Sequence, residues 1–406
     1  MTSVHSICVV ANTRLPSQRA QALQVTQMSA AFQRAGARTT VLFAQRRRAL
    51  ELPLGVDVFE WYGVPPGPRP QLVPVPCTDW IERVPRMLQY VPARLQEQSF
   101  ARNAARVIRR EHSGARVLSR EIETAARLVS GGAERVYLEI HRVPGGRLRR
   151  RALLGAADGV LGILAISNGV REDLEKLGIE RAKISVEHDA FEAARFRELE
   201  PKQAARAALD LPRDVPLVVY TGGLLDWKGV DVLIAAAKTL PDVYFAIAGG
   251  MDADVARLRQ RAGGLLNVRL DGFQAPERVQ LYLAAGDVGV VPNRSQPEIS
   301  ARYTSPLKVF EAMAAGLPLV VSDLPSLREI LAPGEEAVFV AADDAGALAR
   351  GIQELLADPS RRASMSQRLV ARAPLHTWDA RATRVLAWMD ACEGGAKPST
   401  SPPERR

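Results

Sequence analysis

Short apolar runs alternate with amphipathic stretches along almost the whole chain. Near the start, the run through Ile7 to Val10 predicts a buried strand, LQVTQMSAAFQRAG has the spacing of a helix closed by Gly36, and RTTVLF predicts a strand ending at Phe43. Strand, helix, strand is the building unit of a parallel sheet. RVYLEI before His141, GVLGILAIS to Ser167, the helix NGVREDLEKLG and the strand KISVE continue the pattern. The proline-rich stretch from Val64 to Pro76 reads as loop.

The second half is more regular. PLVVY, to Tyr220, is a predicted strand, followed by the loop TGGLLDWKG and the helix GVDVLIAAAKTL. VYFAIAGG, NVRL, DVGVVP, LPLVVS and EEAVFV repeat the strand pattern, with helical segments between them. Strand then helix, repeated, means a parallel sheet covered on both faces, and here it happens twice. The predicted fold class is therefore α/β, with two doubly wound, Rossmann-like domains. The first is expected to span 1–197 and the second 198–377, with ELEPKQAARAALDLPRDVP at their junction as linker and GGAKPSTSPPERR, within 393–406, as a disordered tail.

Composition narrows the function. At 406 residues and 47% hydrophobic, the chain can bury two full cores. Three scattered cysteines, Cys8, Cys77 and Cys392, suggest neither a disulfide framework nor a zinc cluster, and a reducing cytosol is the default. No basic and apolar leader opens the sequence and no run of about 18 apolar residues occurs, so a cytoplasmic protein that spans no membrane is expected. The net charge of +9 is uneven: 30 Lys and Arg face 19 Asp and Glu up to residue 197, and 24 face 26 beyond it. Arg102, Arg106, Arg109 and Arg110 recur at helical spacing, and Arg147 to Arg151 form a second cluster, RLRRR. That charge fits an anionic surface, either phospholipid head groups or a phosphorylated acceptor. Nucleic acid is not expected, because aromatic residues are only 5% and no reading motif accompanies the arginines.

Doubly wound domains bind ligands at the carboxyl ends of their strands, which directs attention to four places. The loop ANTRLPSQRAQ lacks the glycines of a dinucleotide fingerprint, and its Ser17, Gln18 and Arg19 suit a polar or anionic acceptor. His141 follows a predicted strand; a lone histidine is commonly structural, yet this placement suits a hydrogen bond to a sugar hydroxyl or a proton carrier. In TGGLLDWKG, Gly222 and Gly223 permit close backbone approach and Lys228 supplies a charge beside a helix start. Last, SPLKVFEAMAAG opens a helix with Ser305 as the expected N-cap and Pro306 and Leu307 in the first turn. Its free N–H groups and Lys308 favour an anion, and Glu311, about 4.5 Å along the axis on the same face, suits ribose hydroxyls. The bland alternative is a lysine–glutamate pair on a solvated face. Asp252-Ala-Asp254 is expected to cap the following helix rather than to hold a metal.

TGGLLDWKGVDVLIAAA, followed about 80 residues later by YTSPLKVFEAMAAGLPLVVSDLPSLREIL, resembles the donor-binding domain of retaining GT-B glycosyltransferases of family 4, in the subgroup with a YTSPLK-type motif. RLPSQRAQALQVTQMSAAFQRAG resembles the first loop and helix of that family, YLEIHR its histidine-bearing loop, and LADPSRR and TWDARATRVL its closing helices. The resemblance implies two domains facing each other across a cleft, with a helix near 378–392 completing the first. It implies catalytic roles for His141, Lys228 and Glu311: Glu311 on the nucleotide ribose, Lys228 on the diphosphate, His141 near the transferred sugar. It further places Gly222, Gly223, Phe273, Tyr303 and the Ser305–Pro306–Leu307–Lys308 backbone on the donor, and Ser17, Gln18 and Arg19 near donor phosphate or acceptor. A nucleoside-diphosphate sugar would be the donor substrate, with no cofactor and no metal, and the acceptor a glycan, a lipid-linked or a small molecule.

Two departures from the family pattern stand out. Tyr303 occupies the place of a sugar-reading glutamate, eight residues before Glu311, and Gly223 that of an arginine, for which Arg294 and Arg302 are the candidate replacements. Two other readings stay open: another GT-B enzyme, such as a phosphorylase or nucleotide-sugar epimerase, or a catalytically silent partner subunit. Tyr303 favours the last, while Lys228 and Glu311 oppose it.

Overall fold

The structure is a computed structural model that describes residues 5–47, 52 and 54–395. The chain forms two compact units, one of residues up to 166, 170–188 and from 378 onward, the other of 167–169 and 189–377.

In the first unit the strands are β1 (Ser6–Ala11), β2 (Arg38–Gln45), β3 (Gln71–Pro76), β4 (Arg116–Ser119), β5 (Val136–Ile140), β6 (Gly162–Ala165) and β7 (Ile184–Val186). Among the described residues they form one parallel sheet in the order β3-β2-β1-β4-β5-β6-β7. The central strands β4, β5 and β6 are buried along their whole length, as helices on both faces of a parallel sheet require. One expectation fails here. The stretch read as loop contains β3, which pairs with β2 in spite of Pro74 and Pro76. It is an edge strand, so the missing N–H groups cost no ladder bond on its open side.

The closing helix Trp378–Glu393 packs in this unit. Its Trp388 ring lies 5.3 Å from Tyr137, and its Glu393 receives a 2.8 Å hydrogen bond from the buried Arg116 of β4. Gly394 and Gly395 follow the helix, and the rest of the expected disordered tail, 396–406, lies outside the described residues.

The second unit holds β8 (Leu217–Thr221), β9 (Tyr244–Ala248), β10 (Val268–Gly272), β11 (Val288–Val291), β12 (Leu319–Ser322) and β13 (Ala337–Val340), parallel throughout and ordered β10-β9-β8-β11-β12-β13 among the described residues. Apolar clusters cover both faces. The expected linker is structured: Lys202–Ala208 is a helix whose buried Arg206 donates to the carbonyls of Ala285, Arg213 and Val215 and pairs with Asp287 at 2.7 Å. The prolines and charges that suggested a linker are instead fixed by one fully satisfied guanidinium. Residues 189–197 also pack with the second unit, because Phe191 and Phe196 meet edge to face at 5.5 Å within its core.

Candidate active site

In the second sheet β8 and β11 are neighbours, and the chain leaves them toward opposite edges. Their carboxyl ends therefore flank the switch point where doubly wound sheets bind ligands. Gly222, just past β8, has φ +129, and a Cβ there would lie 3.1 Å from Cε and 3.2 Å from Nζ of Lys308. Glycine thus lets Lys308 lie flat against the backbone. The Lys308 Nζ sits 3.5 Å from the centroid of the Tyr220 ring and is buried without a hydrogen-bond partner among the described residues. Tyr220 is held in place by donating its hydroxyl to the Gly223 carbonyl at 2.7 Å. Burial pulls the Lys308 pKa well below its ordinary value, the like charge of Lys228 adds to the fall, and Glu311 opposes it.

Lys228 ends the short 3-10 turn Asp226–Lys228, its Nζ 3.9 Å from the Trp227 ring centroid. Burial lowers its pKa to about 8, against the attraction of Asp189. The next residue, Gly229, has φ +69, and a Cβ there would lie 1.8 Å from the Pro292 carbonyl oxygen. Only glycine fits both demands. This contact straps the lysine-bearing loop to the end of β11, where the Trp227 carbonyl accepts from the Arg294 N–H at 3.0 Å and the Ser300 hydroxyl at 3.1 Å.

The helix of SPLKVFEAMAAG runs from Leu307 to Ala314 and differs from expectation in two respects. Ser305 is not its N-cap. Pro306 is, with no side-chain bond to the helix, and the Ser305 hydroxyl accepts the Asp189 N–H at 2.8 Å instead. The N–H groups of Leu307 and Lys308 are thereby left to a ligand or solvent, while that of Val309 donates to the Pro306 carbonyl at 2.9 Å. Nor is there a solvated lysine–glutamate pair: Lys308 turns to Tyr220, while Glu311 meets Arg195 at 3.1 Å, both side chains largely buried. Arg195 also donates to the Pro276 carbonyl and stacks on Phe196. Nothing in the sequence near Glu311 signals a partner 116 positions upstream.

The other expected donor residues are dispersed around this centre. Phe273 follows β10 and is partly exposed. Tyr303 is buried and donates its hydroxyl to Glu298 at 2.9 Å, so a carboxylate stands beside the position where the family pattern has one. Neither arginine offered as replacement for Gly223 is uncommitted: Arg294 pairs with Asp231 and Asp343, and Arg302 with Glu298. Asp252 and Asp254 do not cap their helix through side chains; they lie in its first turn, where Arg257 pairs with Asp254. Asn293, past the end of β11, is fully buried with both amide atoms unpartnered among the described residues. Sequence reasoning missed it, along with Tyr220, Asp189 and Arg195.

The first unit carries a cavity of about 710 Å³ at the carboxyl ends of β4 and β5, lined by Arg120, Glu121, Glu139 and His141 among others. The His141 Nε2 lies 3.0 Å from Glu139 Oε1 and 2.9 Å from Arg120 Nη2, and Arg381 of the closing helix reaches the same Glu139 oxygen at 3.1 Å. Burial and the charge of Arg120 lower the His141 pKa to about 4, against the pull of Glu139, so the imidazole is neutral near pH 7. The arginines, Arg381 foremost, outweigh burial at Glu139 and hold it well below the carboxylate range. Glu121 is pushed the other way, to about 7, by burial and by Glu123, although it accepts the Asn12 N–H at 2.9 Å. A charged residue inside the apolar run YLEI was the one available signal for this network. The structure brings Gln21 and Gln24, rather than Ser17, Gln18 or Arg19, to the cavity wall; Ser17 is held by reciprocal hydrogen bonds with Tyr62.

Comparison with known proteins adds three findings. Residues 215–358 match the model of the family described as Glycosyl transferases group 1. A D-inositol 3-phosphate glycosyltransferase of Streptomyces avermitilis is 27% identical over 50% of this chain and 46% of its own length, and the lipopolysaccharide core biosynthesis glycosyltransferase LpsE of Rhizobium meliloti is 32% identical over 40% and 46%. The chain thus spans about half the length of the curated relatives it matches. Among solved structures, sucrose-phosphate synthase from Thermosynechococcus elongatus aligns with a TM-score of 0.77 at 19% identity over 97% of this chain and 100% of that one. Anabaena HepE in complex with UDP-glucose aligns at 0.70 and 16% identity, over 94% and 99%. The two parallel-sheet units and these neighbours establish the GT-B fold. The family match lies wholly within the second unit.

Proposed function

We propose that the protein is a retaining glycosyltransferase that moves a sugar from a nucleoside-diphosphate sugar to an acceptor hydroxyl in the synthesis of a bacterial cell-surface glycan or glycolipid, peripheral to the inner face of the cytoplasmic membrane. The observation that carries this reading is the pair of lysines, half-buried Lys228 and buried Lys308, beside the open N-terminus of the Leu307–Ala314 helix. Two desolvated cations at one helix start disfavour each other and call for an anion. The leaving diphosphate is such an anion, and its charge grows as the glycosidic bond breaks, so a preorganised positive site favours the transition state over the ground state. Positive charge from lysine and helix dipole takes the part a divalent ion would otherwise play, and the reading requires no metal.

Glu311, oriented by Arg195, accepts hydroxyls of the ribose. The neutral imidazole of His141 hydrogen-bonds the transferred sugar, and the acceptor attacks on the side from which the diphosphate departs. HepE was solved with UDP-glucose, which makes UDP-glucose the first donor to try. A thermal-shift screen against UDP-, GDP- and ADP-sugars, followed by calorimetry on Lys228→Ala and Glu311→Ala, tests the reading. Each substitution is expected to weaken nucleoside diphosphate binding at least tenfold, the order of one lost charge-assisted hydrogen bond. Unchanged binding in both removes the site assignment.

A further inference from the structure

The first unit exposes large apolar side chains along one short stretch. Met87, Leu88, Tyr90, Val91 and Leu95 all face solvent where the Tyr90–Glu111 helix begins. Leu148, in the first turn of the Arg147–Gly159 helix, is 84% exposed. The two helix starts are joined. Arg94 pairs with Glu123 at 2.9 Å, and Arg149 reaches both Glu97 and Glu123 at 3.5 Å. Tyr90 and Leu148 also line the same 710 Å³ cavity, and residues so exposed stand at its rim. The cavity that holds His141 is therefore edged by an apolar lip.

The charge around this lip is basic. On the Tyr90–Glu111 helix, Val91, Leu95, Gln98, Arg102, Arg106 and Arg109 follow one another at steps of three and four, a single stripe that is apolar at one end and cationic at the other. It spans roughly 27 Å at about 1.5 Å per residue. The second helix opens with Arg147, Arg149, Arg150 and Arg151, the wrong sign for the positive end of a helix dipole. Arg147 and Arg151 have no ion-pair partner among the described residues and both are exposed. Cations placed against the dipole and left unpaired serve something outside the fold, and apolar side chains beside them belong to a surface that is greasy within and anionic at its boundary.

We propose that this lip, Met87, Leu88, Tyr90, Val91, Leu95 and Leu148, inserts into the boundary of an anionic lipid bilayer, with the arginine stripe on its head groups, so that the cavity behind it receives the polar head of a lipid-borne acceptor. The proposal rests on the glycosyltransferase reading for the cavity's role, and it names the surface and the acceptor class that reading leaves open. Insertion and charge act together: a few apolar side chains give weak, reversible binding, and the arginines add attraction that salt removes.

The test is vesicle sedimentation of the full chain with phosphatidylcholine alone and with phosphatidylcholine containing phosphatidylglycerol, at low and high salt. The unsubstituted protein is expected to bind only the anionic vesicles, and less at high salt. The double variant Leu88→Glu with Leu148→Glu alters exposed side chains only, so its nucleoside diphosphate binding should match the unsubstituted protein, while vesicle binding falls roughly tenfold. Arg102→Gln with Arg106→Gln should abolish most of the salt dependence. Equal sedimentation of the double variant and the unsubstituted protein, or equal binding to both vesicle types, overturns the proposal while leaving the donor site standing. Self-association that the double variant abolishes, without vesicle binding, assigns the lip to a second copy of the chain and overturns it as well. If the unsubstituted protein binds anionic vesicles through the lip but no nucleoside diphosphate, the glycosyltransferase reading falls and with it the acceptor role of the cavity, and the docking surface alone remains.

Discussion

Binding of a nucleoside diphosphate should draw protons into the protein, and its affinity should fall as pH rises. In the free protein burial holds Lys228 at a pKa of about 8, and Lys308 well below the ordinary lysine range. The ligand's phosphates are fully ionised above pH 7 and favour the charged form of both lysines. Each lysine pKa therefore rises on binding, the complex holds more protons than the free protein, and above pH 7 affinity falls as pH increases. With a pKa of about 8, Lys228 is charged in roughly nine molecules of ten at pH 7 and one of ten at pH 9, so it alone weakens binding about tenfold over that interval, or about 1.4 kcal/mol. For each pH unit over which Lys308 also takes up a whole proton, a further factor of about ten is added.

Calorimetric titration with UDP, GDP or ADP at about pH 8, repeated in HEPES and in Tris, counts those protons, because the two buffers release them with different heats. The apparent enthalpies should differ, and Lys308→Met should shrink the difference. Equal heats in both buffers, with affinity flat between pH 7 and 9, would refute the reasoning: both lysines would then be fully charged without ligand, and burial would not be setting their titration.

Three further outcomes follow from the same geometry. Replacing Arg195 with Met strands the Glu311 carboxylate in a largely buried place and should lower stability by about 3 kcal/mol, at the low end for a broken buried pair, measured by urea unfolding. Gly229→Ala must move either the loop or the Pro292 carbonyl, and should cost about 2 kcal/mol while weakening nucleoside diphosphate binding through a displaced Lys228. Since the folded protein holds the His141 pKa at about 4, below its unfolded value, the unfolded chain binds the extra proton between about pH 4 and 6.5. The His141 contribution to stability should therefore decline as pH falls through that window, by about 1–2 kcal/mol with allowance for partial exposure, while Glu121, held up at about 7, acts in the opposite sense over nearly the same window. The histidine's share is read as the difference between the unsubstituted protein and His141→Gln in urea titrations: the variant should lose less stability, or gain more, on acidification, and identical pH dependence of the two would mean that the histidine is not held neutral.

The hydrophobic pattern alone determined the two doubly wound sheets, since a strand buried on both faces and a helix buried on one have different periods and the chain repeats them in strict order. It also located Lys228, Lys308, Glu311 and His141 at strand ends, because in such sheets ligands bind there whatever the side chains. Partnership was decided by tertiary structure. Glu311 stands next to Lys308 in every helical reading of SPLKVFE, yet pairs with Arg195, because Tyr220 and Gly222 offer the lysine a flat, closely fitting place to lie. Ser305 has the chemistry of an N-cap and spends it on the Asp189 N–H. Pro74 and Pro76 argue against a strand until the sheet order shows that they lie at its edge. Local propensity states what a residue can do; which of those options it takes depends on groups brought near it from distant parts of the chain, and pairs such as Arg195 with Glu311 or Glu139 with Arg381 leave no periodic trace in the sequence.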